Sequence, residues 1–66
     1  MSNNYVERMK DEHKQLAVKI KALNSFIHGN EKFKTLGDIE QARMIKQAGF
    51  MEAYAETLSS RIWANQ

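Results

Sequence analysis

Two apolar stripes dominate this chain, and they are more than it can bury by itself. Val6, Met9, His13, Leu16, Ile20, Leu23 and Ile27 recur at alternating spacings of three and four. Met44, Ala48, Met51, Ala55, Leu58 and Ile62 repeat the pattern in the second half. That spacing is one face of an α-helix. Two such helices joined by a short connection fold back on each other, and one pair of helices is only part of a core. The expected fold is therefore all-α: an antiparallel two-helix hairpin that assembles into a homo-oligomeric helical bundle.

Size leads to the same expectation. Chains near this length bury only about 60% of the surface their unfolded state exposes. Small scaffolds make up the deficit with disulfides, a metal or oligomerisation. The 66 residues include no cysteine, which removes disulfides and thiolate metal sites. His13 and His28 stand far apart with no ligand pair beside them, so no metal site is expected. Assembly with other copies is what remains.

The whole chain, residues 1–66, reads as a single domain. Helix one is expected over 4–28, where Asn4 and Glu7 have the spacing of a capping box and Gly29-Asn30 is a stop signal, with glycine in the left-handed conformation. Residues 29–37 are expected to be a loop, with Phe33 and Leu36 folding over the open end. Helix two is expected over 38–64, capped by Asp38. It carries a second apolar side (Ile45, Phe50, Tyr54, Trp63) and small residues including Ala42, Gly49 and Ala53, which marks it as the main assembly element. Gly49 suits a place where a neighbouring helix packs closely.

No apolar run is long enough to cross a membrane, and the polar start has no signal-peptide pattern, so the expected location is cytoplasmic. Net charge is +2, with seven basic and four acidic residues in 1–34 against three and four in 35–66. Lysines dominate from Lys14 to Lys34, which favours a small anionic partner over a long nucleic acid. A solvated lysine face accounts for the same residues. No grouping of nucleophile and base, no phosphate-cradling glycine loop and no paired acid–base carboxylates stand out, so no enzyme activity and no cofactor are expected. His13 belongs to the stripe and is expected to be packed.

One edge beside the helix-one stripe stands out. Tyr5, Glu12, Lys19 and Phe26 are spaced by sevens, and Arg8 lies one turn from Tyr5. A ring that stacks on a base and cations that pair with phosphate are the groups that hold a nucleotide. Edge positions of packed helices also carry such residues to cover a seam and form salt bridges, and Arg8 and Glu12 have the spacing to pair.

The joint pattern is Tyr5-x-x-Arg8-x-x-x-Glu12-x-x-x-Leu16-x-x-Lys19-x-x-x-Leu23-x-x-Phe26-Ile27. It continues with Phe33 and Leu36, then Gln47, Met51, Tyr54, Leu58, Arg61 and Ile62. This pattern, over about residues 4–63, resembles the helical-hairpin domain of small bacteriophage proteins that includes the anti-CBASS and anti-Thoeris cyclic-nucleotide sponges. The resemblance implies a homo-oligomer, hexameric in the family's known sponges, in the cytoplasm of an infected bacterial host. It implies sequestration, without hydrolysis, of a cyclic di- or trinucleotide or a cyclic ADP-ribose-type ligand. The implied ligand-binding residues are Tyr5, Arg8 and Lys19, with Lys21 as the alternative lysine. The competing readings are an oligomeric structural or protein-interaction hairpin with no small-molecule ligand, and a nucleic-acid binder. Carboxylates interleaved with the basic residues count against the latter.

Overall fold

The computed structural model describes residues 4–66. These are all-helical: α1 (Asn4–Gly29), a single-turn α2 (Glu31–Lys34) and α3 (Asp38–Ala64). The two long helices form because their sequences hold an unbroken three–four apolar spacing with no proline.

The stripes meet. Val6, Met9 and Leu16 of α1 and Ala48 and Leu58 of α3 are buried, while His13, Ile20, Leu23, Ile27, Met44, Met51, Ala55 and Ile62 are half-buried. The tightest part joins Val6 and Met9 to Leu58, with Ile62 packed alongside; Leu58 keeps only 1% of its surface. These contacts pair the start of α1 with the end of α3. Further along, the Asn24 side chain donates to the Glu52 carboxylate at 2.9 Å. The molecule measures 49 × 15 × 12 Å, so in its thin dimension it is one helix thick. A layer that thin has a seam and two open faces, and no enclosed centre.

The connection departs from the expected loop. Asn30 is extended (φ −107°, ψ 126°), and its side chain accepts from the Lys32 amide at 2.8 Å, capping the extra turn α2. That places Phe33 in the core, edge-on to Phe26 with ring centres 6.2 Å apart. Gln41 then ties the turn to α3: its Nε2 donates to the carbonyls of Phe33 (3.1 Å) and Leu36 (2.9 Å). The Phe33 carbonyl also accepts from the Leu36 amide at 3.1 Å, whereas that of Leu36 lies past the end of the turn, where a helix supplies no further amide.

Three local expectations are corrected. Gly29 closes α1 with an ordinary negative φ, and no described glycine takes a positive one. The break comes at Asn30, whose side chain caps the following turn by accepting from the Lys32 amide. Gly37 holds the cap position of α3 without a side-chain bond, and Asp38 is the first helical residue, where its charge faces the helix dipole. Asn4 is itself helical, so the cap of α1 falls outside the described residues, and the Glu7 carboxylate lies 3.7 Å from the Lys10 ammonium. Gly49 borders an open groove with Asn24, Ile27 and His28 of α1, and a Cβ added there meets no atom within 4 Å beyond its own turn of helix.

Candidate functional site

Two hydrogen bonds set α1 against α3: Asn24 to Glu52, and the Tyr5 hydroxyl donating to the Asn65 side chain. The Asn65 amide in turn donates to the Arg61 carbonyl at 2.8 Å, which holds the acceptor in place. Tyr5 therefore adjoins the Arg61 end of α3. Arg61, Tyr54 and Gln47 are spaced by sevens, as are Tyr5, Glu12, Lys19 and Phe26. Seven residues are close to two turns, so each set forms a row along its helix. The Tyr5–Asn65 bond brings these rows side by side on one face. Asn24, five residues on from Lys19 and so about 140° round α1, bonds Glu52 on the other face.

Interpolated between the Tyr5–Asn65 and Asn24–Glu52 bonds, Lys19 falls opposite about residue 55, beside Tyr54. The face thus combines Tyr5 and Tyr54, 43% and 47% exposed, with the exposed cations Arg8, Lys19 and Arg61. It continues outward on α3 into an open groove lined by Arg43, Lys46, Gln47, Phe50, Met51 and Tyr54. Phe50 is 66% exposed there, with the Lys46 ammonium 5.8 Å from its ring centre. A carboxylate of Glu40 lies 3.9 Å from Arg43. Among the described residues no ion pair involves Arg8, Glu12 or Lys19, so the Arg8–Glu12 pairing open from the spacing does not form.

Of the residues singled out in the sequence, Tyr5 and Arg8 lie one turn apart. Lys19 lies fourteen residues from Tyr5, about 21 Å along α1. One chain does not bring Tyr5 and Lys19 onto the same small ligand. Reading α1 alone also missed the α3 half of the face. Its signal was in the sequence, as the seven-residue spacing of Gln47, Tyr54 and Arg61, but nothing local says which α1 row it joins.

Chemically the face offers flat rings for stacking and cations for phosphate. The Tyr5 hydroxyl is engaged by Asn65, which orients the ring and leaves it part-exposed. No set of three or more His, Cys, Asp or Glu side chains among the described residues could hold a metal ion. No described helix is long and apolar enough to cross a membrane.

Fold and face together define a small all-helical protein with a narrow seam and an exposed aromatic and cationic face. The profile of the Sequestin family matches residues 3–64, and the chain belongs to that family. It is 41% identical over 58 residues to the "Uncharacterized 7.5 kDa protein in denB-rIIB intergenic region" of Enterobacteria phage T4, covering 88% of this chain and 89% of that protein. No solved structure matches it significantly.

Proposed function

We propose that this chain binds and sequesters cyclic nucleotide second messengers of bacterial antiphage defence, of the CBASS or Thoeris type, without hydrolysing them. The observation that carries this reading is the two-helix face, where the Tyr5–Lys19 row of α1 lies against the Gln47–Arg61 row of α3. The family's name points to sequestration, and the phage T4 relative suits an evasion protein acting in the cytoplasm of the infected host. Tyr5 stacks on a base, while Arg8 and Lys19, with Lys21 close by, hold phosphate. The working unit is an antiparallel hairpin assembled into a closed homo-oligomer, a hexamer by the resemblance. The 21 Å between Tyr5 and Lys19 supports a site shared between chains, with Tyr5 supplied by one subunit and Lys19 by another. Binding without turnover suits such a site, since a scavenger competes by affinity and needs no group to attack the ligand.

The test is equilibrium dialysis against a labelled cyclic dinucleotide, a cyclic trinucleotide and a cyclic ADP-ribose, followed by heat denaturation of the protein. Retention of one of them, released intact, with Tyr5→Ala and Lys19→Ala each losing ligand at unchanged assembly mass, is the expected result. Free passage of all three, or release of a cleaved product, contradicts it. A second reading, an assembling hairpin with no ligand, is favoured by the exposed Ile45 and Trp63. It predicts free passage of all three.

A further inference from the structure

The back of α3 is laid out to meet a copy of itself. Each residue of the line that runs from Ile39 to Trp63 lies two positions before a position of the seam's repeat, extended at its ends to Gln41 and Asn65, about 200° round the helix and so on the outer side of α3. Gly49, at the edge of that side, also borders an open groove with Asn24, Ile27 and His28 of α1. Along it the spacing alternates between three and four, as it does in the seam. Every residue on this line is exposed, Ile39 at 68% and Trp63 at 79%. Nothing within the chain explains why two large apolar side chains stand at either end of it.

The line reads the same from both ends in chemical character. At its centre are Gly49 and Ala53, both small. One step out are Lys46 on one side and Glu56 on the other. Beyond these come two more small residues, Ala42 and Ser60, and then the apolar ends, Ile39 and Trp63. Each of these pairs is centred on residue 51. We infer that the back of α3 pairs antiparallel with the same surface of a second copy of this chain, about a two-fold axis level with Met51.

The pairing is self-consistent in packing and in charge. Antiparallel helices with a seven-residue repeat set one core position of the first helix against the other core position of the second, and all four pairs obey that rule. Small residues at the centre let the axes approach to the short end of the usual 8–10 Å range. Gly49 is open to such an approach, since nothing beyond its own turn of helix lies within 4 Å of where a Cβ would be. Two-fold symmetry makes every contact twice: two Ile39–Trp63 contacts cover the ends, and two Lys46–Glu56 ion pairs flank the centre. Neither Lys46 nor Glu56 takes part in an ion pair among the described residues of one chain. Phe50, under the Lys46 ammonium, covers one side of that pair. A parallel, in-register pairing of the same surfaces would set lysine on lysine and glutamate on glutamate. Charge therefore selects the antiparallel arrangement. The pairing surface lies on the outer side of α3, so it takes up Lys46 and Phe50 from the rim of the neighbouring groove and leaves the Tyr5–Lys19 row of α1 free.

The inference rests on the assembly part of the proposed function and is independent of the ligand. Its test uses the full chain, which has no natural cysteine. Lys46→Glu and Glu56→Lys, each singly, are expected to weaken association about tenfold or more in sedimentation velocity, because each sets like charges together twice. The double variant K46E/E56K restores the pair with signs exchanged and is expected to recover most of the loss. Under mild oxidation, a mixture of G49C and A53C chains is expected to cross-link, whereas A42C mixed with A53C, two turns out of register, is not. An assembly that forms normally while the swaps are silent and the 49–53 cross-link is missing overturns this pairing and leaves the proposed function standing. A parent chain that stays monomeric at every concentration overturns the pairing and the proposed assembly together.

Discussion

Leu58→Ala is the sharpest test of the seam. Leu58 is the most buried side chain, packed with Val6, Met9 and Ile62. The substitution removes three carbons' worth of buried surface, about 2.4 kcal/mol at roughly 0.8 kcal/mol each. Any cavity left behind adds to that, and the 12 Å layer lets neighbours relax into it, which favours the low end of the usual range of about 2–5 kcal/mol. The expected loss is about 2–3 kcal/mol. A chain of this length has a total of only about 3–10 kcal/mol, at roughly 0.05–0.15 kcal/mol per residue. At an unfolding entropy near 2 cal/mol/K per residue, the loss lowers Tm by about 15–20 °C. Helix melting by circular dichroism at 222 nm reads this directly, repeated over a range of protein concentrations so that the proposed assembly registers as a concentration dependence of Tm. Val18→Ala, on the exposed side of α1, serves as the control and is expected to move Tm by no more than about 4 °C. Leu58→Ala melting within that same window, or Val18→Ala falling as far as Leu58→Ala, refutes the seam as the source of stability.

Other substitutions probe the connection and the face. Gln41→Ala frees the Leu36 carbonyl and leaves that of Phe33 with its Leu36 amide bond alone, costing about 1–2 kcal/mol in a denaturant titration, with the amides of residues 33–36 exchanging faster. Asn30→Ala removes the cap of α2 and is expected to cost about 1 kcal/mol, read the same way. Tyr5→Phe loses the bond to Asn65 but keeps the ring, so ligand retention should survive while the last residues of α3 lose hydrogen-exchange protection. Arg8→Ala is expected to weaken ligand binding about tenfold or more by calorimetry, the loss shrinking as salt is raised.

The seam was readable in the sequence because helical periodicity is local: each stripe needs only its own neighbours to declare a face. Every residue of both stripes is buried or half-buried, down to His13. The connection was harder because its signals compete. Gly29-Asn30 reads as a glycine stop, yet the asparagine side chain reaches the Lys32 amide and starts another turn. Asp38 reads as a cap, yet the chain enters α3 one residue earlier, at Gly37. The face was half-readable. Tyr5, Arg8 and Lys19 stand out on α1, but their neighbours Gln47, Tyr54 and Arg61 join them only through the register of α1 against α3. That register rests on contacts between residues 28 and 60 positions apart in the chain, such as Asn24–Glu52 and Tyr5–Asn65. No period within one helix contains it.

Sequestration itself is tested most directly by native mass spectrometry of the purified protein, alone and with a panel of cyclic dinucleotides, cyclic trinucleotides and cyclic ADP-ribose isomers. The account predicts one discrete oligomer that gains whole-number additions of an intact ligand mass, and that loses them but keeps its own mass in Lys19→Ala. An oligomer that stays bare across the panel, or a chain that stays monomeric, contradicts it.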